Sequence, residues 1–377
     1  MGMLVLSKIQ IIFGNHKSDL NKNRKYLFFL IYHYQTGELI MINLSTHYMG
    51  IPLRNPIIIG SSSLVNDLNM LKKLEVAGAA AVVYKSLFEE QIHLESIQMD
   101  DEMAEFSDRN SEMGNIFPKL RHAGPAEYLH NLRKAKGQLG IPLIASLNCI
   151  YTETWLEYAK LIEKTGVDGL ELNFYAVPRD FDNESKTIED QQVELLSAVK
   201  KVVSIPVSVK LSPFYTNVLN LISRLDKAGA NGFVLFNRLF EPDINTEVMK
   251  HTSPFNLSHE GDGRLSIRYA GLLSGNIEGS VCSNTGIYSG NDVVKMLLAG
   301  ADCVQVVSTI YKHKPEHITS MLSDIETWMN THKFESVNEF KGLLSRKNTA
   351  NPYIYKRAQY IEILMGAEEV QKKYLTI

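Results

Sequence analysis

From Pro56 onward, short apolar runs alternate with longer stretches in which apolar positions recur every three or four residues. The runs are Ile57-Ile58-Ile59, Ala81-Val82-Val83-Tyr84, Pro142-Leu143-Ile144-Ala145 and Gly169-Leu170-Glu171-Leu172. Four more follow: Val207-Ser208-Val209, Gly232-Phe233-Val234-Leu235-Phe236, Gly279-Ser280-Val281-Cys282 and Cys303-Val304-Gln305-Val306-Val307. Near-continuous apolar runs suit strands covered on both faces, as in a parallel sheet. Between them the spacing predicts helices, most clearly over 67–77, 154–165 and 217–228. Gly78, Gly229 and Gly300 each follow a predicted helix and supply the left-handed residue that stops it before the next strand.

Strand and helix alternating eight times predict an α/β fold, a (β/α)₈ TIM barrel. Ring closure leaves no local signature, so an open doubly wound sheet stays open as an alternative. Two connections are long, 88–124 and 237–265. Both follow a strand, which places them on the C-terminal face, where barrel chemistry sits. After Pro315 a helix over 317–330 and a polar tail are expected. The domain reading is an N-terminal extension (1–40), a barrel (41–335) and a C-terminal tail (336–377).

The extension carries lysines and arginine before a short apolar run, 26–32, too short for the ~20 residues that span a bilayer. It is expected to be poorly ordered, or an upstream mis-start before Met41; a weak membrane-surface anchor is the alternative. A formal net charge of −3 over 377 residues argues against nucleic acid as a partner. Cys149, Cys282 and Cys303 lack CxxC spacing, so neither a disulfide framework nor a structural metal site is expected. A reducing cytoplasm and no stable membrane insertion fit best.

The strongest chemical signal is the last strand–helix pair. Thr285-Gly286 follow the seventh strand and Ser308-Thr309 the eighth, where barrels bind phosphate with backbone N–H groups. A tight glycine turn capped by Ser289 is the plainer alternative. Lys85 and Lys210 close two strands, and a lysine in a barrel mouth calls for an anionic partner. Either a local carboxylate or the negative N1 side of a reduced flavin would serve. Asn148, Asn173 and Asn237 end three strands at similar depth, where an amide can donate and accept toward a planar ring or simply cap the chain.

These motifs, in this order, resemble class 1 dihydroorotate dehydrogenases: Asn55-Pro56 with Gly60-Ser61-Ser62, Lys85-Ser86, Glu171-Leu172-Asn173, Val209-Lys210-Leu211-Ser212-Pro213, and Gly286 with 298–305. The tail around 346–351 resembles a branch described as dihydroorotate dehydrogenase-like. The resemblance implies FMN as cofactor and oxidation of dihydroorotate to orotate, a small dihydropyrimidine-like substrate, and a homodimer. It implies that Ser61, Ser62, Lys85, Asn148, Asn173 and Lys210 contact the flavin, and that Thr285, Gly286, Ser308 and Thr309 hold its phosphate. Asn237, with Asn110, would face the substrate.

The sequence departs from the family where its Cys or Ser base stands; here Tyr175 and Ala176 occupy that segment. Alanine cannot accept a proton, so Tyr175 is the candidate proton-transfer residue, with Lys85 and Lys210 stabilising the reduced ring. The departures support FMN binding more firmly than dihydroorotate turnover. A non-redox aldolase or epimerase barrel acting on sugar phosphates, and a non-catalytic flavin-binding relative, are the rival functions.

Overall fold

Eight parallel strands, nearly all of their residues buried, close into a ring. The computed structural model describes residues 42–92, 125–174, 181–238, 241–254 and 256–356, with 361, 364 and 365. The strands are β1 (Ile57–Ile59), β2 (Ala81–Val83), β3 (Leu143–Asn148), β4 (Gly169–Asn173), β5 (Val207–Leu211), β6 (Gly232–Leu235), β7 (Ser280–Asn284) and β8 (Cys303–Val306). Neighbours follow chain order, and the ring closes where β8 pairs with β1, Val304 opposite Ile57. This is a TIM barrel, and it excludes the open sheet. A short strand, Leu87–Phe88, extends beside the end of β3.

The helices are α1 (Leu68–Val76), α2 (Pro125–Gln138), α3 (Thr152–Glu163), α4 (Ser185–Val202), α5 (Val218–Lys227), α6 (Arg264–Leu273), α7 (Gly290–Ala299), α8 (Ser308–His313) and α9 (His317–His332). Asp67 caps α1 by accepting from the N–H groups of Asn69 and Met70, and Asn217 caps α5 through Asn220 N. The stops read from the sequence hold: Gly78, Gly229 and Gly300 all have positive φ.

The barrel floor was not anticipated from the sequence. Thr46–Tyr48 and Ile51–Leu53 pair as an antiparallel hairpin whose two turn residues, Met49 (φ 56°) and Gly50 (φ 79°), both sit at positive φ. Tyr48 and Met49 enter the barrel's core cluster beside Ile58, Val83, Ile144 and Val234. Gly232 makes room for them, because a Cβ there would lie 2.9 Å from both Met49 Cγ and Tyr48 Cε2. The floor is therefore plugged, and access is left to the C-terminal face.

Beyond α9 the chain returns over the barrel: Leu344 N donates to Leu298 O and Arg346 N to Gly271 O, both at 2.9 Å. The long connection after β6 carries an exposed hairpin, Asp243–Asn245 with Lys250–Thr252. The apolar run at 26–32, Asn110 and Tyr175 lie outside the described residues. Among the described residues no helix is long and apolar enough to cross a membrane. The three cysteines are free and buried. Burial, then the neighbouring Glu89 and Glu90, push the Cys149 thiol pKa up, which leaves it a poor nucleophile.

Candidate active site at the C-terminal mouth

Side chains alternate along each strand, so Glu171 and Asn173 of β4 share a face, as do Ser208 and Lys210 of β5. Across the ring, Gln305 of β8 donates from Nε2 to Glu171 Oε2 at 2.6 Å. Lys210 Nζ lies 3.9 Å from Glu171 Oε1, with both side chains nearly inaccessible to solvent. That distance makes an ion pair but exceeds hydrogen-bond reach. Glu171 Oε1 and Gln305 Oε1 have no hydrogen-bond partner among the described residues. The carboxylate offsets part of the cost of burying the ammonium, and leaves its hydrogens for something in the mouth.

Above this floor opens a cleft of about 270 Å³. Of the residues singled out from the sequence, Ser61, Ser62, Lys210, Asn237, Thr285, Gly286 and Ser308 line it together. Asn173 joins them indirectly, its Oδ1 accepting from Asn237 Nδ2 at 2.7 Å. Ser61 Oγ accepts from Ser86 N at 2.9 Å, and Ser86 Oγ is 2.7 Å from Ser146 Oγ. Ser62 Oγ is buried with no partner among the described residues.

Three expected residues fall elsewhere. Asn148 lines a second cavity of about 830 Å³ between the start of α3 and α4. Thr309 is fully buried, its hydroxyl 3.5 Å from Tyr288 O. Lys85 is half-buried beyond the end of β2 and is not among the cleft-lining residues.

The loop after β7 is held in an unusual backbone conformation. Thr285 (φ 76°) and Gly286 (φ 70°) are both left-handed, which a β-branched residue adopts only when its surroundings enforce it. Those surroundings are visible: Thr285 N donates to Asn284 Oδ1 at 2.7 Å, and Thr285 Oγ1 to Phe236 O at 3.2 Å. The space a Cβ would need at Gly286 is taken by the backbone of Asp262 and Gly263. Glycine is thus demanded by packing, and its backbone faces the cleft. Ser308 accepts from Ser258 N at 3.0 Å, tying the loop after β8 to the one after β6.

Ser289 does what the plainer reading of this segment required. It forms a capping box with Asp292 at the start of α7, Asp292 N donating to Ser289 Oγ at 3.2 Å and Ser289 N to Asp292 Oδ2 at 3.1 Å. Burial works to raise the Asp292 pKa, but hydrogen bonds from Lys295, Ser289 and Tyr288 hold it below the usual carboxylate range. A depressed carboxyl stabilises the fold above its unfolded pKa, roughly 3.9, and loses that contribution as pH falls through the folded value. Ser289→Ala is expected to cost about 1 kcal/mol near neutral pH. Asp292→Asn is expected to lose most against the native chain above pH ~4 and progressively less in acid. Urea titrations across pH check both.

Sequence reading missed Glu171 and Gln305 as a pair, and Arg238, Asn256 and Tyr311 as cleft residues. A carboxylate and an amide inside otherwise apolar strands were the available signal for the first two.

A sequence model of the family described as dihydroorotate dehydrogenase matches residues 117–329. The catalytic subunit of dihydroorotate dehydrogenase B (NAD(+)) from Thermoplasma acidophilum is 27% identical over 312 residues, covering 81% of this chain and all of that protein. Its counterpart in Methanocaldococcus jannaschii is 27% identical over 275 residues, 71% of this chain and 87% of that one. The Methanothermobacter thermautotrophicus subunit is 26% identical over 308 residues, 80% and 98% respectively. With more than half its length matched by the family model and the barrel's polar residues gathered at one mouth, the chain belongs to the dihydroorotate dehydrogenase family of oxidoreductases.

Proposed function

We propose that this protein is an FMN-dependent dehydrogenase acting on a CH–CH bond of a dihydropyrimidine, dihydroorotate being the first substrate to test. The observation that carries the proposal is one cleft bordered by Lys210, Asn237 and the loops at Gly286 and Ser308. Those residues suit the cofactor's chemistry. Two buried polar atoms without partners among the described residues, Ser62 Oγ and Gln305 Oε1, belong to residues that line it. An unpartnered buried polar atom costs free energy, which a ligand's hydrogen bonds recover. FMN, when bound, supplies the acceptor for a hydride.

The chain's own residues then have distinct tasks. Backbone around Thr285-Gly286 and the Ser308 hydroxyl hold the phosphate. Lys210 keeps a positive charge at the cleft floor, where negative charge develops on reduction. The Asn173–Asn237 amide pair orients a planar ring. Tyr175, in place of the family's Cys or Ser, accepts the substrate proton as its phenolate, which becomes the neutral phenol. Lys85 is a second candidate for stabilising the reduced ring, and its side chain would have to reach the cleft on ligand binding.

The test is anaerobic. Purified protein is expected to be yellow or to become so with FMN, and dihydroorotate is expected to bleach the flavin band. Tyr175→Phe is expected to slow bleaching by roughly 10²–10⁴, the range for loss of a general base. Unchanged bleaching removes Tyr175 from the mechanism. A protein that stays colourless with FMN supports a non-redox phosphate-binding barrel. A yellow protein that no dihydropyrimidine bleaches is a non-catalytic relative.

A further inference from the structure

Arg238 follows Asn237 at the end of β6 and lines the same cleft. Its guanidinium is fixed by the protein. Nε donates to Asn256 O at 2.9 Å, one terminal nitrogen to Asn256 Oδ1 at 2.6 Å, and the other to Asp262 Oδ2 at 2.8 Å. A guanidinium has five N–H donors, so one on each terminal nitrogen is left over. Those two have no acceptor among the described residues.

The charges are layered. Lys210 and Arg238 line the cleft, whereas their carboxylates, Glu171 and Asp262, are not among its lining residues. Among the described residues that line it, none is acidic. Asp262 is itself pinned by His259 N at 2.9 Å, and its backbone packs where a Cβ on Gly286 would lie. The arginine is therefore tied rigidly to the turn that backs the Thr285-Gly286 loop. Holding a long, rotamer-rich side chain in place beforehand lowers the entropy cost of binding an anion.

We propose that Arg238 is the oxyanion-binding residue of this cleft, giving its two remaining N–H groups to a phosphate monoester or a carboxylate of the bound ligand. The proposal rests on the flavin reading above and adds a residue to it. The two sources of an oxyanion are the cofactor's phosphate and the substrate's carboxylate, and paired ligands separate them. FMN is compared with riboflavin, which lacks the phosphate, on the apoprotein. Orotate is compared with uracil, which lacks the carboxylate, on the flavin-loaded protein by perturbation of the flavin spectrum.

Arg238→Met is expected to weaken FMN relative to riboflavin, or orotate relative to uracil, by on the order of ten- to a hundredfold. Arg238→Lys keeps a cation beside Asp262 and serves if the methionine variant does not fold; the same selective loss is expected, smaller in size. A folded variant that changes neither ratio overturns the proposal. If the native apoprotein takes up neither FMN nor riboflavin, the flavin reading fails, and inorganic phosphate becomes the probe. A phosphate-dependent rise in melting temperature that Arg238→Lys diminishes then supports the oxyanion role. An equal rise in both proteins, or none in the native one, overturns it.

Discussion

Replacing Lys210 by methionine is expected to slow flavin reduction by roughly two to three orders of magnitude and to lower the melting temperature by several degrees. The rate estimate is the usual cost of removing one preorganised charge or donor from a reaction centre. The stability loss has a different origin. Glu171 is buried and, among the described residues, has only Gln305 Nε2 as a close hydrogen-bond donor, so removing the lysine strands a carboxylate in a place with almost no water. Breaking a buried pair from one side costs about 3–5 kcal/mol, and the 3.9 Å separation argues for the lower end here. The two effects separate in a double variant. Lys210→Met combined with Glu171→Gln removes the stranded charge and is expected to recover most of the melting temperature. It is not expected to recover the rate, because nothing replaces the cation at the cleft floor. Stopped-flow reduction and thermal unfolding on the four proteins of this cycle decide the matter. A double variant that reduces flavin at the native rate would mean that Lys210 only neutralises Glu171.

The same pair marks the boundary of what the sequence made legible. Apolar runs with helical stretches between them identified all eight strands, because covering both faces of a strand dictates its composition locally. Gly78, Gly229 and Gly300 were legible for the same reason, since a left-handed stop is a property of one residue. The Glu171–Gln305 bond joins positions 134 residues apart, and no local pattern encodes it. The three strand-end asparagines show how depth and direction differ. Asn148, Asn173 and Asn237 stand near the top of the barrel, yet Asn148 opens on another cavity while the other two bond each other. Position along a strand sets height in the barrel, but not which side of the rim a pocket occupies. Thr309 is a smaller case: successive residues in a helical first turn point about 100° apart, so Ser308 reaches the cleft and its neighbour is buried. The floor hairpin was missed because its turn is Met49-Gly50, a pair weaker as a signal than Asn-Gly.

Gly286→Ala is expected to destabilise the protein by about 3 kcal/mol and to weaken FMN binding by at least roughly tenfold. Two costs add. At φ 70° an L side chain is strained by about 1–2 kcal/mol. The new Cβ would also lie 2.9 and 3.0 Å from Asp262 C and N, and closer still to Gly263 N. Those are backbone atoms of the turn entering α6, so relief requires moving a loop rather than turning a side chain. That turn also carries Asp262, the partner of Arg238, and the displacement would reach both walls of the cleft together. Gly166→Ala isolates the first cost. Gly166 has φ 84° with nothing within 4 Å of the added carbon, and it lies in the turn between α3 and β4, at the opposite end of the barrel. It is expected to lose about 1 kcal/mol and no affinity for FMN. Urea unfolding gives the stabilities, and quenching of free flavin fluorescence at a temperature where both variants are folded gives the affinities. If Gly286→Ala matched Gly166→Ala in both, the loop after β7 would be neither tightly packed nor part of the phosphate site, and the flavin assignment would lose its anchor.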